Sequence, residues 1–186
     1  MSKYNVLFLC TGNSCRSQMA EGWARHLKGE QITAYSAGFE PSALNPLAVQ
    51  VMAEVGVDIS RHSSKHVAEL TGITFDYVVT VCGHANEHCP VFPSPTRVLH
   101  AGFEDPPQLA AALAAQGASA EAQLDCYRRI RDEIRAFVAT LPEAFDSRPR
   151  KGLLTRLLEK FDKSLETKAK AGPCCGGGRK GGASCC

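Results

Sequence analysis

Near its start the chain carries an apolar run, residues 4–9, that ends in the loop Cys10-Thr11-Gly12-Asn13-Ser14-Cys15-Arg16-Ser17. A short apolar run bounded by turn residues is typical of a strand buried on both faces. The residues after the loop, to about Lys28, repeat apolar side chains at helical spacing, and Ser17 is the expected N-cap. The motif is therefore predicted to join a buried strand to a helix, as in α/β folds.

The same alternation continues along the chain. Further strands are predicted at residues 32–37, 76–81 and 96–100, and further helices at residues 47–55, 65–70 and 120–141. Strands that alternate with helices form parallel sheets covered on both faces. We expect an α/β fold: a single three-layer domain, residues 1–146, with a short parallel sheet of about four strands flanked by helices.

The last forty residues differ in composition. Residues 147–167 are predicted to form a linker and one C-terminal amphipathic helix, and residues 168–186 a flexible tail rich in Gly and Cys. The tail carries two vicinal cysteine pairs, whose soft thiolates suit a soft metal or a trivalent metalloid as ligand. A functionally silent extension is the alternative. The four cysteines are Cys174, Cys175, Cys185 and Cys186.

Composition excludes several classes of protein. Of 186 residues, 22% are charged and 44% hydrophobic, with a net charge of +2, so neither nucleic acid nor a membrane is an expected partner. The nine cysteines form an odd number and no export signal is apparent, which argues against a disulfide scaffold and for a cytoplasmic protein. Cysteine in such a chain indicates catalysis, metal binding or packing.

The loop has the composition of an oxyanion site. Backbone N–H groups at a helix N-terminus converge on one point, and Gly12 and Asn13 tolerate the positive φ angles that curl a loop around an anion. The Arg16 guanidinium can bind two oxyanion oxygens. Cys10 would point into this cradle as a nucleophile, with its pKa lowered by the N–H donors and by the Ser17 hydroxyl. The alternative is a buried structural cysteine in a turn.

The loop resembles that of the low-molecular-weight tyrosine phosphatase fold, and the longer stretch from Cys10 to Gly22 resembles the thioredoxin-coupled arsenate reductases built on that fold. The resemblance covers about the first 140 residues. It continues through Tyr35-Ser36-Ala37-Gly38, Val79-Thr80-Val81-Cys82, Cys89-Pro90, Gly102-Phe103-Glu104-Asp105-Pro106 and Arg131-Asp132-Glu133-Ile134.

The resemblance implies a reaction and its order. Cys10 would attack arsenate, with Asp105 as general acid and residues 11–17 binding the oxyanion, and Cys82 would then attack Cys10 and release arsenite. Cys89 would attack Cys82, leaving a Cys82–Cys89 disulfide for thioredoxin. No cofactor is implied. Because the carboxyl ends of parallel strands share one sheet edge, Cys82 is expected within reach of the loop.

Other roles for these residues stay open. Cys82 and Cys89 could be core thiols, or they could bind zinc together with two intervening histidines, His84 and His88. Asp105 could be only a turn residue. Two remaining cysteines, Cys15 and Cys126, are expected to be buried packing residues.

The resemblance also bears on potassium. Some members bind this ion through residues matching Asn13, Glu21 and Ser36, with an acidic residue where this chain has Lys65. A lysine repels a cation, so we expect no potassium dependence and an ammonium group beside Glu21.

Two other functions remain as alternatives to arsenate reduction. One is a low-molecular-weight protein tyrosine phosphatase, since the cradle suits phosphate too. The other is a thiol-based arsenic- or metal-binding protein that acts through its tail.

Overall fold

The computed structural model describes residues 3–92 and 95–146. The predicted linker, C-terminal helix and tail lie outside the described residues. Four parallel strands form one sheet in the order β2-β1-β3-β4. They are β1 Tyr4–Cys10, β2 Ile32–Gly38, β3 Tyr77–Thr80 and β4 Arg97–His100. The predicted α/β class and parallel sheet are confirmed.

Helices connect and cover the strands. They are α1 Arg16–Lys28, α2 Pro46–Glu54, a 3₁₀ turn at Val67–Leu70, α3 Gly83–Glu87, α4 Pro106–Ala115, α5 Ala120–Ala139 and α6 Glu143–Asp146. The sequence prediction omitted α3, α4 and α6. The prediction of Ser17 as N-cap was wrong, since Cys15 precedes α1 and Ser17 lies inside the helix.

The core lies between the sheet and the long helices. The β1 residues Val6 to Leu9 have no exposed surface, as expected of a central strand covered on both faces. On α5, Ile130 and Ile134 are fully buried. The indole N–H of Trp23 on α1 donates to the Arg131 carbonyl on α5 at 3.2 Å, so the two helices are fixed together over the sheet.

Strand register brings the carboxyl ends of three strands together. Cys10 ends β1 beside Gly38 of β2, and Leu9 pairs with Thr80, the last residue of β3. The loops that follow these strands therefore meet at one sheet edge, where ligands bind in parallel sheets. In the described part of the chain, no helix has the length and apolar character needed to cross a membrane.

Candidate active site

The Cys10 sulfur lies at the centre of the loop between β1 and α1. It is within 2.9 Å of the Ser17 hydroxyl, and the Asn13 backbone N–H donates to it at 3.2 Å. The thiol is 3% exposed. The loop is therefore wrapped around a single buried nucleophilic atom, as an oxyanion cradle requires.

The carbonyl oxygens of the loop are bound outside it. Thr11 O accepts from the N–H groups of Phe39 and Glu40 at 2.9 and 3.0 Å. The next two carbonyls, of Gly12 and Asn13, accept from the Ser42 N–H at 2.9 Å and the Ser64 hydroxyl at 2.6 Å. Because adjacent peptide carbonyls are engaged outside the loop, its backbone N–H groups can turn toward the centre, as that of Asn13 does toward the Cys10 sulfur.

Asn13 fixes the shape of the loop. It is fully buried and has a φ of 46°, a left-handed conformation that asparagine tolerates better than most residues. Its amide nitrogen donates to the Ser17 and Ser36 hydroxyls, both at 2.9 Å, and its amide oxygen accepts from the Lys65 N–H at 2.9 Å. Gly12, predicted to share the positive φ, is not among the positive-φ glycines of the described residues.

Gly38 lets strand β2 approach the loop closely. A Cβ atom on this residue would lie 2.8 Å from the Asn13 nitrogen and closer still to the Thr11 carbonyl oxygen. Glycine is thus required here by space rather than by backbone angle.

Arg16 and Asp105 form an ion pair at the mouth of the loop. The guanidinium Nη2 lies 2.9 Å from the Asp105 carboxylate, and Nη1 donates to the Phe103 carbonyl at 3.0 Å. The predicted oxyanion-binding fork and the predicted acid are therefore adjacent, although they are far apart in sequence. In this structure the Arg16 guanidinium and the Asp105 carboxylate are therefore paired with each other.

Burial raises the pKa of the Cys10 thiol, while hydrogen bonds from Ser17 and Asn13 act in the opposite direction. The sequence-based expectation of a lowered pKa is wrong for this structure. The physical reason is that burial desolvates the thiol, and this effect outweighs the hydrogen bonds from Ser17 and Asn13.

Cys82 lies at the same sheet edge, between β3 and α3. Its sulfur accepts from the Ala85 N–H at 3.4 Å and lies 3.6 Å from the Thr11 hydroxyl. Cys82 also acts electrostatically on Cys10. The structure thus brings Cys82 into contact with the loop that surrounds Cys10, the first thiol of the predicted relay.

The other cysteines differ in burial. Cys89, just after α3, is half-buried, and burial raises the pKa of its thiol. Cys15 is buried, and burial raises the pKa of its thiol too. Cys126 was expected to be buried but is only half-buried, with its sulfur 3.8 Å from the Ala122 carbonyl, because its helical position lies at the margin of the apolar face.

The zinc alternative finds no support in the described residues, where no group of three or more His, Cys, Asp and Glu could hold a metal ion. The rings of His84 and His88 stack with centroids 4.2 Å apart. His88 Nδ1 donates to the His84 carbonyl at 3.0 Å, which uses one of its nitrogens within α3.

Lys65 lies beside Glu21, where its ammonium group is expected from the sequence. Its ammonium nitrogen is 4.0 Å from the Glu21 carboxylate and donates to the Ser63 carbonyl at 3.0 Å. The buried carboxylate also accepts from Ser36 and pairs with Arg25. Two cationic side chains thus already face Glu21.

Sequence reasoning missed several groups that shape the site. Gln18 donates to the Asn13 carbonyl at 2.9 Å, and the Thr11 hydroxyl lies 3.3 Å from His84 Nδ1. Phe103 contributes only its backbone carbonyl. No local sequence pattern predicts such contacts, because most of them join residues far apart in the chain and depend on the loop's final conformation.

The chain is similar to known proteins over most of its length. The family model described as low molecular weight phosphotyrosine protein phosphatase matches residues 5–147. An arsenate reductase of Halalkalibacterium halodurans is 44% identical over 143 residues, covering 77% of this chain and 98% of its own.

Solved structures give the same result. An arsenate reductase in its phosphate-binding state is 33% identical, with a TM-score of 0.55, covering 74% of this chain and 95% of its own. A thioredoxin-dependent arsenate reductase of Corynebacterium glutamicum is 26% identical, with a TM-score of 0.57, covering 77% of this chain and 62% of its own.

Proposed function

The chain belongs to the low molecular weight phosphotyrosine protein phosphatase family and to the arsenate reductases within it, and on that basis we propose that it reduces arsenate to arsenite through Cys10, Cys82 and Cys89. The observation that carries the proposal is the placement of the Cys82 sulfur 3.6 Å from the Thr11 hydroxyl, at the edge of the loop that surrounds Cys10. A phosphatase needs only the nucleophile and the cradle, whereas a reductase needs a second thiol there.

The first step is attack of the Cys10 thiolate on arsenic. A sulfur–arsenic bond forms, an arsenic–oxygen bond breaks, and the departing oxygen takes a proton and leaves as water. Arg16 exchanges the Asp105 carboxylate for the arsenate oxygens, which stabilises the thiolate and the negative charge of the oxyanion together. Asp105, no longer paired with the guanidinium, then holds the proton for the departing oxygen.

The remaining steps are thiol exchanges. The Cys82 thiolate attacks the Cys10 sulfur; a disulfide forms, the sulfur–arsenic bond breaks, and its electron pair stays on arsenic, which leaves as arsenite. The Cys89 thiolate then attacks the Cys82 sulfur and releases Cys10 as a thiolate. A dithiol donor reduces the Cys82–Cys89 disulfide and restores the enzyme.

We infer that this donor is thioredoxin and that it docks beside Cys89. The residues after Cys89 line an apolar groove of about 340 Å³, together with residues of the 3₁₀ turn and Phe75. Val91 in this groove is 99% exposed. A protein donor must bring its own sulfur into contact with the disulfide. The apolar surface next to Cys89 therefore supports docking of a protein whose thiol lies in an apolar patch. The biological role that follows is arsenic detoxification in a reducing compartment such as the cytoplasm.

The test is arsenate-dependent NADPH oxidation in the presence of thioredoxin and thioredoxin reductase. We expect turnover with the wild type, its loss in Cys82→Ser and in Cys89→Ser, and its retention in the matched control Cys126→Ser, because Cys126 lies outside the relay. Hydrolysis of an aryl phosphate serves as the second assay. Full arsenate turnover in Cys82→Ser would refute the relay, and phosphate-ester hydrolysis without any arsenate turnover would establish the phosphatase instead. Arsenite binding that depends on the tail cysteines and not on Cys82 would favour the thiol-based binding protein.

A further inference from the structure

The Thr11 hydroxyl connects Cys82 to a histidine. Its oxygen lies 3.6 Å from the Cys82 sulfur and 3.3 Å from Nδ1 of His84. A hydroxyl group donates one proton and accepts others, so the three side chains form a chain that can run in either direction. In one direction Cys82 is a thiol and His84 a neutral imidazole. In the other, Cys82 is a thiolate and His84 an imidazolium, with Thr11 donating to the sulfur.

A backbone donor faces the Cys82 sulfur, and His84 is open to water. The Ala85 N–H donates to the sulfur at 3.4 Å, a contact that stabilises a thiolate. His84 is exposed, and its ring meets Phe39 edge-on with centroids 6.5 Å apart. Two titratable groups adjoin these three side chains: His88, whose ring stacks on that of His84, and Cys10, whose thiol interacts electrostatically with Cys82.

We propose that His84 is a positioning residue that removes the proton of Cys82 through the Thr11 hydroxyl before Cys82 attacks Cys10; the inference rests on the proposed function. The S–H bond of Cys82 breaks and its proton passes to the Thr11 oxygen, while Thr11 gives its own proton to His84 Nδ1. No electrons leave the three groups. The imidazolium stays beside the thiolate until Cys82 has attacked Cys10, and the exposed ring then gives its proton to water.

The need for such a relay follows from ordinary acidities. A free thiol has a pKa of about 8.5 and a free imidazole about 6.5, so at neutral pH a thiol needs a proton acceptor to become a nucleophile, and an imidazole is able to serve as one. A nearby positive charge lowers a thiol's pKa by about one unit or more, which corresponds to roughly a tenfold gain in thiolate. We therefore expect His84→Asn to slow the reaction of Cys82 about tenfold at neutral pH.

The experiment measures Cys82 directly and uses no arsenate, so its outcome is independent of whether the chain reduces arsenate. In the full chain carrying Cys10→Ser and Cys89→Ser, Cys82 is the only cysteine of the tryptic peptide 66–97. Alkylation of that peptide by iodoacetamide is followed by mass spectrometry across the neutral pH range. The parent should show an inflection that His84→Asn shifts to higher pH, and His88→Asn is the matched control on the same helix.

Variants of Thr11 separate the relay from simple packing. Thr11→Val, which removes the hydroxyl at constant shape, should slow alkylation as much as His84→Asn, and combining the two should add nothing further. Thr11→Ser keeps the hydroxyl and should keep the parental rate. Unchanged alkylation in His84→Asn overturns the proposal, as does an equal loss in His88→Asn, which would assign the effect to the packing of α3.

Discussion

Replacing Gly38 by alanine tests how closely strand β2 must approach the loop. The added carbon would lie 2.8 Å from the Asn13 nitrogen, whereas ordinary contacts begin at 3.4 Å. The neighbouring atoms are backbone, which cannot rotate away. The loop must therefore retreat from β2 by roughly 0.6 Å or more.

The size of the effect follows from this displacement. Overpacking of this kind costs about 1–3 kcal/mol of unfolding free energy. A misplacement of about 1 Å at a reacting group costs roughly a hundredfold in rate, so we expect kcat/KM for arsenate to fall about tenfold to a hundredfold. The Asn13 N–H donates to the Cys10 sulfur, so displacing this N–H should lower the affinity for an oxyanion as well.

Three measurements check this reasoning. They are the midpoint of urea unfolding, the affinity for inorganic phosphate by calorimetry, and arsenate-dependent NADPH oxidation. Gly72→Ala is the matched control, because a Cβ there meets no atom within 4 Å. The reasoning is refuted if Gly38→Ala binds phosphate and turns over like Gly72→Ala, since the loop would then be shown to tolerate the displacement.

Three further predictions concern the pKa of Cys10, the response to potassium and the apolar groove next to Cys89. Ser17→Ala removes a hydrogen bond that lowers the pKa of Cys10 against the effect of burial. The pH profile of single-turnover arsenate reduction should therefore shift to higher pH, and the rate at neutral pH should fall about tenfold. The control Ser17→Thr keeps the hydroxyl and should not shift the profile. Potassium should give the same turnover as sodium at equal ionic strength, because the Lys65 ammonium already faces Glu21, and strong activation by potassium would contradict this. Val91→Asp should raise the KM for thioredoxin about tenfold through lost apolar burial, with no effect when dithiothreitol is the reductant; an unchanged KM would place the donor elsewhere.

The strands of the sheet could be predicted because their hydrophobic pattern is visible in the sequence. The β1 run is apolar without alternation, and a strand buried on both faces requires that pattern. Helix α4 was missed because its sequence, PPQLAAALAA, has few polar residues to define a face. Helix α3 was missed because five residues, GHANE, are too short to show a helical period.

The nucleophile of the site could be predicted from the sequence, whereas most contacts between the site residues could not. A cysteine and an arginine flanking Gly-Asn between a strand and a helix indicate an oxyanion loop on chemical grounds alone. The pairing of Arg16 with Asp105 has no local signature, since the two residues meet only when α4 is in place. Ser17 was assigned to a helix cap, yet its hydroxyl lies against Cys10 and Asn13, where the tertiary contact outweighs the capping preference.

In the proposed relay, the unequal burial of Cys10, Cys82 and Cys89 determines which thiol meets reagents from solution. Cys10 and Cys82 are 3% and 4% exposed, whereas Cys89 is half-buried. Peroxides and small thiols in solution therefore collide with the last cysteine of the relay far more often than with the first. In the proposed relay, this burial limits the oxidation of Cys10 between substrates and makes the more accessible Cys89 the point of contact for a reductant.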